Sequence, residues 1–292
     1  MNKIKNIFAF FILITIAAAC GNSASSIPVD NFDHEAQALI DNDSLNSFFS
    51  KHYYDADVDS LKALVAGATP LSEDENLKTM NVTENEIDYK LYYYENNIGN
   101  PTIDKGFPTV MDSIFVKYQG FRINRTDSIT PPFDGRQTPI WFTLNAVIRG
   151  WAHGFINFKN GDNVTNNGPI TYENGGKGIL FIPSGLGYRN TYSGAILPNE
   201  NLIFYIDLYD FVQDTDHDND GVPSWAEDPD GDGDPRNDDT DGNLNPNYLD
   251  TDDDGDGVLT TNEDANGDGN PANDFSDPAN PNLPDYLNPA IK

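Results

Sequence analysis

Near the C-terminus, three aspartates at alternate places, Asp216, Asp218 and Asp220, are followed by Gly221 and, at the twelfth place, by Glu227. The same D-x-D-x-D-G-x5-E spacing returns 36 residues later with Asp252, Asp254, Asp256, Gly257 and Glu263. Carboxylates at places one, three and five wrap one side of a hard cation. Glycine at six permits the sharp turn, and glutamate at twelve closes the sphere with two oxygens. The carbonyls of Val222 and Val258 at place seven, with Ser224 and Thr260 at place nine, complete the two sets. That chemistry suits calcium, and two independent full matches make the signal specific. Each loop runs straight into an acidic half-loop, from Asp228 and from Asp264. Their twelfth places hold Asp239 and Phe275, so they are weaker candidates or share ligands with the loops before them.

The elements expected to carry these loops are few. "DTDHDNDGV" recurs as "DTDDDGDGV" and "NYLDTD" is echoed by "DYLNPA", which marks an internal repeat. The helices that flank a true EF-hand loop are missing, since strand residues lead into the first loop and prolines follow it. Residues 213–292 therefore resemble thrombospondin type 3 or other helix-poor calcium repeats, which implies a calcium-rigidified stalk and not a sensor. Asp214 to Lys292 holds 23 acidic residues against 2 basic ones and carries −21 of the total charge of −30. Without metal, such a segment has little apolar surface to bury and repels itself. Calcium on the order of 10⁻⁴–10⁻³ M, the range of extracellular modules, should order it. The same charge excludes nucleic acid as a partner, because phosphates would be repelled.

A second unusual stretch is "LNAVIRGWAHGF", Leu144 to Phe155. Trp151 stands between Gly150 and Gly154 in a short helical segment, and glycine is a poor helix former. Around it lie short apolar runs with strand character: "DYKLYYYE", "SIFVKYQG", "PIWFTL", "GKGILFIP" and "NLIFYIDLYDF". Many antiparallel strands and one short helix predict an α+β domain, a sheet curved over that helix.

"VIRGWAHGF", "LFIPSGLGYR" and "AILPNENLIFYIDLYDF" together resemble the signature of FKBP-type peptidyl-prolyl cis-trans isomerases, over roughly Ile87 to Val212 and in the family's order. The resemblance implies a proline pocket. Trp151 would be its floor; Tyr118, Ile140, Phe142, Val147, Ile148, Tyr188, Ile196 and Phe204 would be its walls. The Ile148 N–H and the Tyr188 hydroxyl would donate hydrogen bonds to substrate carbonyls, and Gly150 would allow a close backbone approach. The family's Phe-Asp pair is best matched by Phe133 and Asp134, with Asp127 competing for the aspartate. X–Pro segments of unfolded or nascent exported proteins are the implied substrates, and catalysis needs no cofactor. Residues 161–176 are an insertion relative to the family, read as surface decoration.

At the other end, Lys3 and Lys5 precede the apolar run "IFAFFILITIAAA" and then Cys20, the only cysteine. The run is short for a membrane span. Ala17, Ala18 and Ala19 before Cys20 resemble a bacterial lipobox, although Ala17 replaces its usual leucine. Residues 1–19 then read as a lipoprotein signal peptide, and residues 20–32 as a tether on a lipidated Cys20. Several acyl chains give the stable membrane attachment that one would not. With no disulfide available, an exported chain must rely on its core or on metal. This places the protein in the cell envelope, as an outer-membrane lipoprotein facing the periplasm or the cell surface. Residues 33–86 read as a helical extension and linker, with a helix over Asp33–Tyr54, a turn or two over Ser60–Ala66 and a loop from Thr69 to Glu86. Residues 87–212 are the expected isomerase domain.

Overall fold

The structure is a computed structural model that describes residues 30–124 and 128–292. The expected signal segment, Cys20 and Asp127 lie outside the described residues. Helix α1 (His34–Phe49) starts where Asp33 accepts the Ala36 N–H at 2.9 Å, an N-cap that satisfies an otherwise orphan donor. The helix stops at Phe49, short of the expected Tyr54. Aromatic residues then favour an extended chain, and β1 (His52–Asp55) pairs with β2 (Ser60–Ala63) where further helical turns were expected. Of the apolar residues spaced for a helix, Leu45, Phe48 and Phe49 are buried, whereas Leu39 and Ile40 face solvent.

The segment read as a loop from Thr69 to Glu86 contains β3 (Leu77–Glu84), which pairs along its whole length with β4 (Ile87–Asn97). The sheet therefore begins before Ile87. The polar composition that suggested a loop belongs to an edge strand, where one row of side chains meets water. Then come β5 (Ser113–Asn124), β6 (Ser128–Ile129), β7 (Asp134–Thr143) and α2 (Arg149–Phe155). The insertion supplies a two-residue hairpin, β8 (Asp162–Asn163) with β9 (Tyr172–Glu173). Last come β10 (Gly176–Ile182) and β11 (Leu202–Val212). The main sheet has the order β3-β4-β10-β11-β5, with β6 and β7 both paired to β5, and every pairing is antiparallel.

Alternation along the strands divides two apolar layers. Leu180 and Ile182 of β10, with Leu202, Phe204 and Ile206 of β11, belong to the layer that includes Trp151 and Phe155 of α2. Ile179 and Phe181, with Ile203, belong to the layer that includes Leu45, Phe48 and Phe49 of α1. The central strands are covered on both faces, which is why "ILFI" is a continuous apolar run. Helix α1 is thus part of the core. Its buried Asp41 accepts hydrogen bonds from the Ser184 N–H at 2.8 Å and the Ser184 hydroxyl at 2.6 Å, fixing the turn that leads to Tyr188.

Residues 213–292 contain short 3₁₀ turns and a small core of Val222, Tyr286 and Leu287. The segment folds back onto the sheet domain, with Arg236 reaching Glu84 at the end of β3 at 2.9 Å. An extended stalk is not what these residues form. Among the described residues, no helix is long and apolar enough to cross a membrane.

Candidate functional site

The apolar cleft is built from four places in the fold. β5 contributes Tyr118, and the start of β7 brings Phe133 and Asp134 beside it. The end of β7 and the turn after it bring Phe142, Ala146, Val147 and Ile148, while α2 contributes Trp151. Tyr188, from the connection after β10, and Phe204 of β11 close a cleft of about 400 Å³. Trp151 is only 4 % exposed. Tyr118, Phe142 and Phe204 stand edge-on around its indole, with centroids at 4.8, 5.4 and 5.2 Å and interplanar angles of 82°, 89° and 86°. A flat indole ringed by upright aromatics is a platform with walls, suited to a small apolar ring laid on its face.

The glycines beside Trp151 have a packing reason. A Cβ on Gly150 would come within 2.3 Å of Ile182, and one on Gly154 within 2.5 Å of Leu180. Both side chains belong to β10, so glycine lets α2 lie directly on the sheet. The close approach expected at Gly150 is made to the sheet.

Polar groups at the cleft are few. The Tyr118 hydroxyl donates to Asp134 at 2.7 Å, and burial together with that carboxylate pushes the phenol up to about 12. Burial, then the Asp134 charge, also raises Tyr188. The Tyr188 hydroxyl has no hydrogen-bond partner among the described residues. Ile148 is the N-cap of α2, so its backbone stands at the helix start beside the cleft. The indole Nε1–H of Trp151 is buried without an acceptor, an uncommon condition for a donor in a folded interior.

Of the positions taken from the family pattern, nine line this cleft: Tyr118, Phe133, Asp134, Phe142, Val147, Ile148, Trp151, Tyr188 and Phe204. Two do not. Ile196 is 3 % exposed within the surrounding core. Ile140 is 36 % exposed and pairs with Val116 beside a bulge, where the β5–β7 register shifts between Val116 and Tyr118. Such a bulge re-aims side chains, and Pro139 within it can donate no ladder hydrogen bond. Ala146 is an additional lining residue, too small to stand out in a sequence. No residue of the 161–176 insertion lines the cleft.

In the acidic segment, Asp216, Asp218 and Asp220 bring carboxylate oxygens within 4.8 Å of one another, as do Asp252, Asp254 and Asp256. Gly221 at φ +105° and Gly257 at φ +91° make the two sharp turns. Asp216 accepts the Gly221 N–H at 3.1 Å and Asp252 the Gly257 N–H at 3.2 Å, so each loop is closed by its own first aspartate. Glu227 is fully buried and Glu263 is 6 % exposed, and all four of their carboxylate oxygens lack partners. Burial and neighbouring carboxylates push Glu227 up to about 10, and Asp218 and Glu263 to about 8. Buried, unpaired acidic oxygens facing one another are a donor set for a hard cation. The hydroxyls at place nine are engaged elsewhere: Ser224 accepts the His217 N–H at 3.1 Å, and Thr260 donates to Asp253 at 3.3 Å. Val222 is buried in the small core, and its N–H, like that of Val258, turns back to the aspartate two places earlier.

Two acidic residues outside the spacing join these groups. Asp253, 1 % exposed, meets Asp220 and Glu227 within 4.8 Å. Asp238 meets Asp228 and Asp230 within the same distance. It occupies the eleventh place of its half-loop, and Asp274 is its counterpart 36 residues on. That repeated eleventh-place aspartate was the available signal.

Residues 104–209 match the family model for FKBP-type peptidyl-prolyl cis-trans isomerase. Residues 217–285 match a second family model, described as BamM C-terminal. The FKBP-type peptidyl-prolyl cis-trans isomerase FkpA of Escherichia coli is 32% identical over 106 residues, which cover 35% of this chain and 32% of that protein. A probable FkpA of Neisseria meningitidis serogroup B is 32% identical over 102 residues, again 35% of this chain and 32% of that one. The chain thus spans about a third of the length of the curated relatives it matches. Among solved structures, a peptidyl-prolyl cis-trans isomerase from Pseudomonas syringae pv. tomato aligns over 63% of this chain and 98% of that one, at 20% identity and TM-score 0.38. The crystal structure of Escherichia coli FkpA aligns over 49% of this chain and 54% of that one, at 27% identity and TM-score 0.35.

Proposed function

We propose that this chain is an active peptidyl-prolyl cis-trans isomerase of the cell envelope, held to a membrane through a lipidated Cys20, with calcium structuring its C-terminal repeats. The observation that carries the catalytic reading is the Trp151 platform ringed by Tyr118, Phe142 and Phe204. The substrates are X–Pro segments of unfolded or nascent exported proteins.

An X–Pro bond rotates over a barrier of about 18–20 kcal/mol, which is the loss of amide resonance. The planar amide is the more charge-separated form, and water favours it. With the proline ring on Trp151, walls of Tyr118, Phe142 and Phe204 exclude water and so favour the twisted amide relative to the planar one. The Ile148 N–H and Tyr188 hydroxyl hold the flanking carbonyls in place. Each tenfold gain in rate requires about 1.4 kcal/mol of such differential stabilisation. The Tyr118–Asp134 pair keeps the Tyr118 ring upright at the edge of the platform.

Calcium would be held by Asp216, Asp218, Asp220 and Glu227, and by Asp252, Asp254, Asp256 and Glu263, where it would supply structural charge neutralisation. The unpartnered oxygens of Glu227 and Glu263 support that reading.

The deciding experiment is a protease-coupled isomerisation assay on the full chain, with calcium and with chelator. Acceleration of X–Pro isomerisation is expected. Binding of a proline peptide with no acceleration in either buffer would leave a proline-binding module. Cys20→Ser should move the protein out of the membrane fraction, and continued retention would refute the lipid anchor.

A further inference from the structure

The acidic segment touches the isomerase domain beneath the pocket helix. Arg149 is the first residue of α2, between Ile148 and Trp151, which both line the cleft. Arg149 is 8 % exposed and donates from Nε to Glu84 at 3.0 Å. The same Glu84 oxygen accepts from Arg236 Nη2 at 2.9 Å. Asp234 binds Arg236 through Nε at 2.6 Å and lies 3.7 Å from Arg149. Two arginines and two carboxylates thus join β3, α2 and the half-loop that starts at Asp228. They border a cleft of about 920 Å³ whose walls include Val82 and His153.

Asp234 and Arg236 lie on the loop between Asp230 and Asp238. Asp228, Asp230 and Asp238 bring one oxygen each within 4.8 Å. Asp238 is 6 % exposed, and its Oδ2 has no partner. Asp228 accepts the Gly231 N–H at 2.9 Å and the Gly233 N–H at 2.8 Å, so this carboxylate also sets the turn. Three like charges gathered at the neck of one loop repel unless a cation lies among them. A cation there would tie the two ends of the loop together and fix the chain that carries Asp234 and Arg236.

We propose that Asp228, Asp230 and Asp238 form a further site for a hard divalent cation, and that its occupancy positions α2 through Arg236, Glu84 and Arg149. Arg149 and Arg236 are positioning residues, since neither side chain lines the Trp151 cleft. The effect on turnover rests on the isomerase reading; the metal site and the ordering of α2 do not.

The test uses the full chain in detergent, with calcium alone as the ligand. Titration calorimetry counts bound calcium in the wild type, Asp238→Asn and Asp230→Asn. Asp230 is exposed, so its variant keeps the fold even if the buried one does not. Each variant should bind one equivalent fewer than wild type, and an unchanged count in Asp230→Asn overturns the site. Hydrogen exchange of residues 147–158 reads the relay. Calcium should slow it about tenfold in the wild type, the worth of one charge-assisted hydrogen bond. Arg236→Ala should abolish that slowing while keeping the calcium count, and Arg236→Lys should restore part of it. Calcium-dependent slowing that persists in Arg236→Ala, or is absent from the wild type, overturns the relay. Lack of isomerase activity in every buffer would refute the isomerase reading alone, because the count and the exchange still decide this one.

Discussion

Replacing Trp151 by leucine separates the pocket from the core it belongs to. The indole is 4 % exposed and meets four rings edge-on, Phe155 among them at 5.3 Å. Losing these contacts and leaving a cavity should cost about 2–5 kcal/mol of stability. The catalytic loss has a different origin. A proline ring carries three methylenes, each worth about 0.8 kcal/mol when buried, or about 2.4 kcal/mol for both faces. Trp151 covers one face, so between half and all of that is lost, which lowers kcat/KM about eight- to sixtyfold. Phe155→Leu supplies the control. Phe155 is fully buried against Trp151 but does not line the cleft, and its shortening should cost about 1–2 kcal/mol of stability. Protease-coupled turnover of a tetrapeptide, measured well below both melting temperatures, should show the large loss only in Trp151→Leu. Equal losses in the two variants, or less than a twofold loss in Trp151→Leu, would refute the platform.

Asp41→Ala should destabilise by about 1–3 kcal/mol in denaturant unfolding, since it strands the buried Ser184 hydroxyl and leaves the Ser184 N–H only Asn201 Oδ1, at 3.1 Å. Asp41→Asn should cost less than Asp41→Ala, because the amide oxygen can still accept from Ser184. Burial, and then the Arg149 charge, lower His153 from 6.5 to about 4, so the unfolded chain takes up this proton first as pH falls. Stability should drop between about pH 6.5 and 4 and level off below, by at most about 3 kcal/mol, and His153→Gln should flatten that part of the profile. Glu227, pushed up to about 10 mainly by burial, has the opposite sign. In chelator its contribution is complete below about pH 4.5 and is lost as pH rises toward 10, so the melting temperature should fall with pH and calcium should reverse the trend. Glu227→Gln should raise the melting temperature in chelator at pH 8 and weaken calcium binding about tenfold. A rise without weaker binding would refute its role as a ligand.

What could be seen in the sequence and what could not divides along physical lines. Strands β5 and β11 were legible because each buries a full face, so "SIFVKYQG" and "NLIFYIDLYDF" show their apolar side chains directly. β3 was not legible. An edge strand with one row in water reads as a polar stretch, and only pairing with β4 identifies it. The helix spacing in α1 was visible but its buried face was not, because Leu39 and Ile40 are as apolar as Leu45. Which of them meets the sheet depends on a layer that no local pattern encodes. Ile140 failed for a related reason: a bulge breaks the alternation on which its expected direction rested. Asp253 and Asp238 were missed because the twelve-residue spacing describes one loop at a time, whereas these residues act between loops or at a different place.

The packing of the acidic segment bears on how its charge is borne. A chain stretch with −21 of net charge would ordinarily lower its repulsion by staying extended. Here it buries Asp220, Glu227 and Asp253 to 1 %, 0 % and 1 % exposure, around the same small core as Val222 and Tyr286. The two basic residues of the segment are already committed, Arg236 to Glu84 and Asp234, and Lys292 to the Asp256 carbonyl. Among the described residues no cationic side chain reaches the Glu227 carboxylate, so at neutral pH this interior must either hold protons or hold metal. Protons suffice only while the carboxyls stay neutral, and a neutral carboxyl has no claim on three acidic neighbours. A divalent cation would neutralise two of them at once and draw the oxygens together, and the free energy of cation binding would then be part of the free energy of folding the segment. Cation binding would then also set how firmly Asp234 and Arg236 are presented to the helix that carries Trp151.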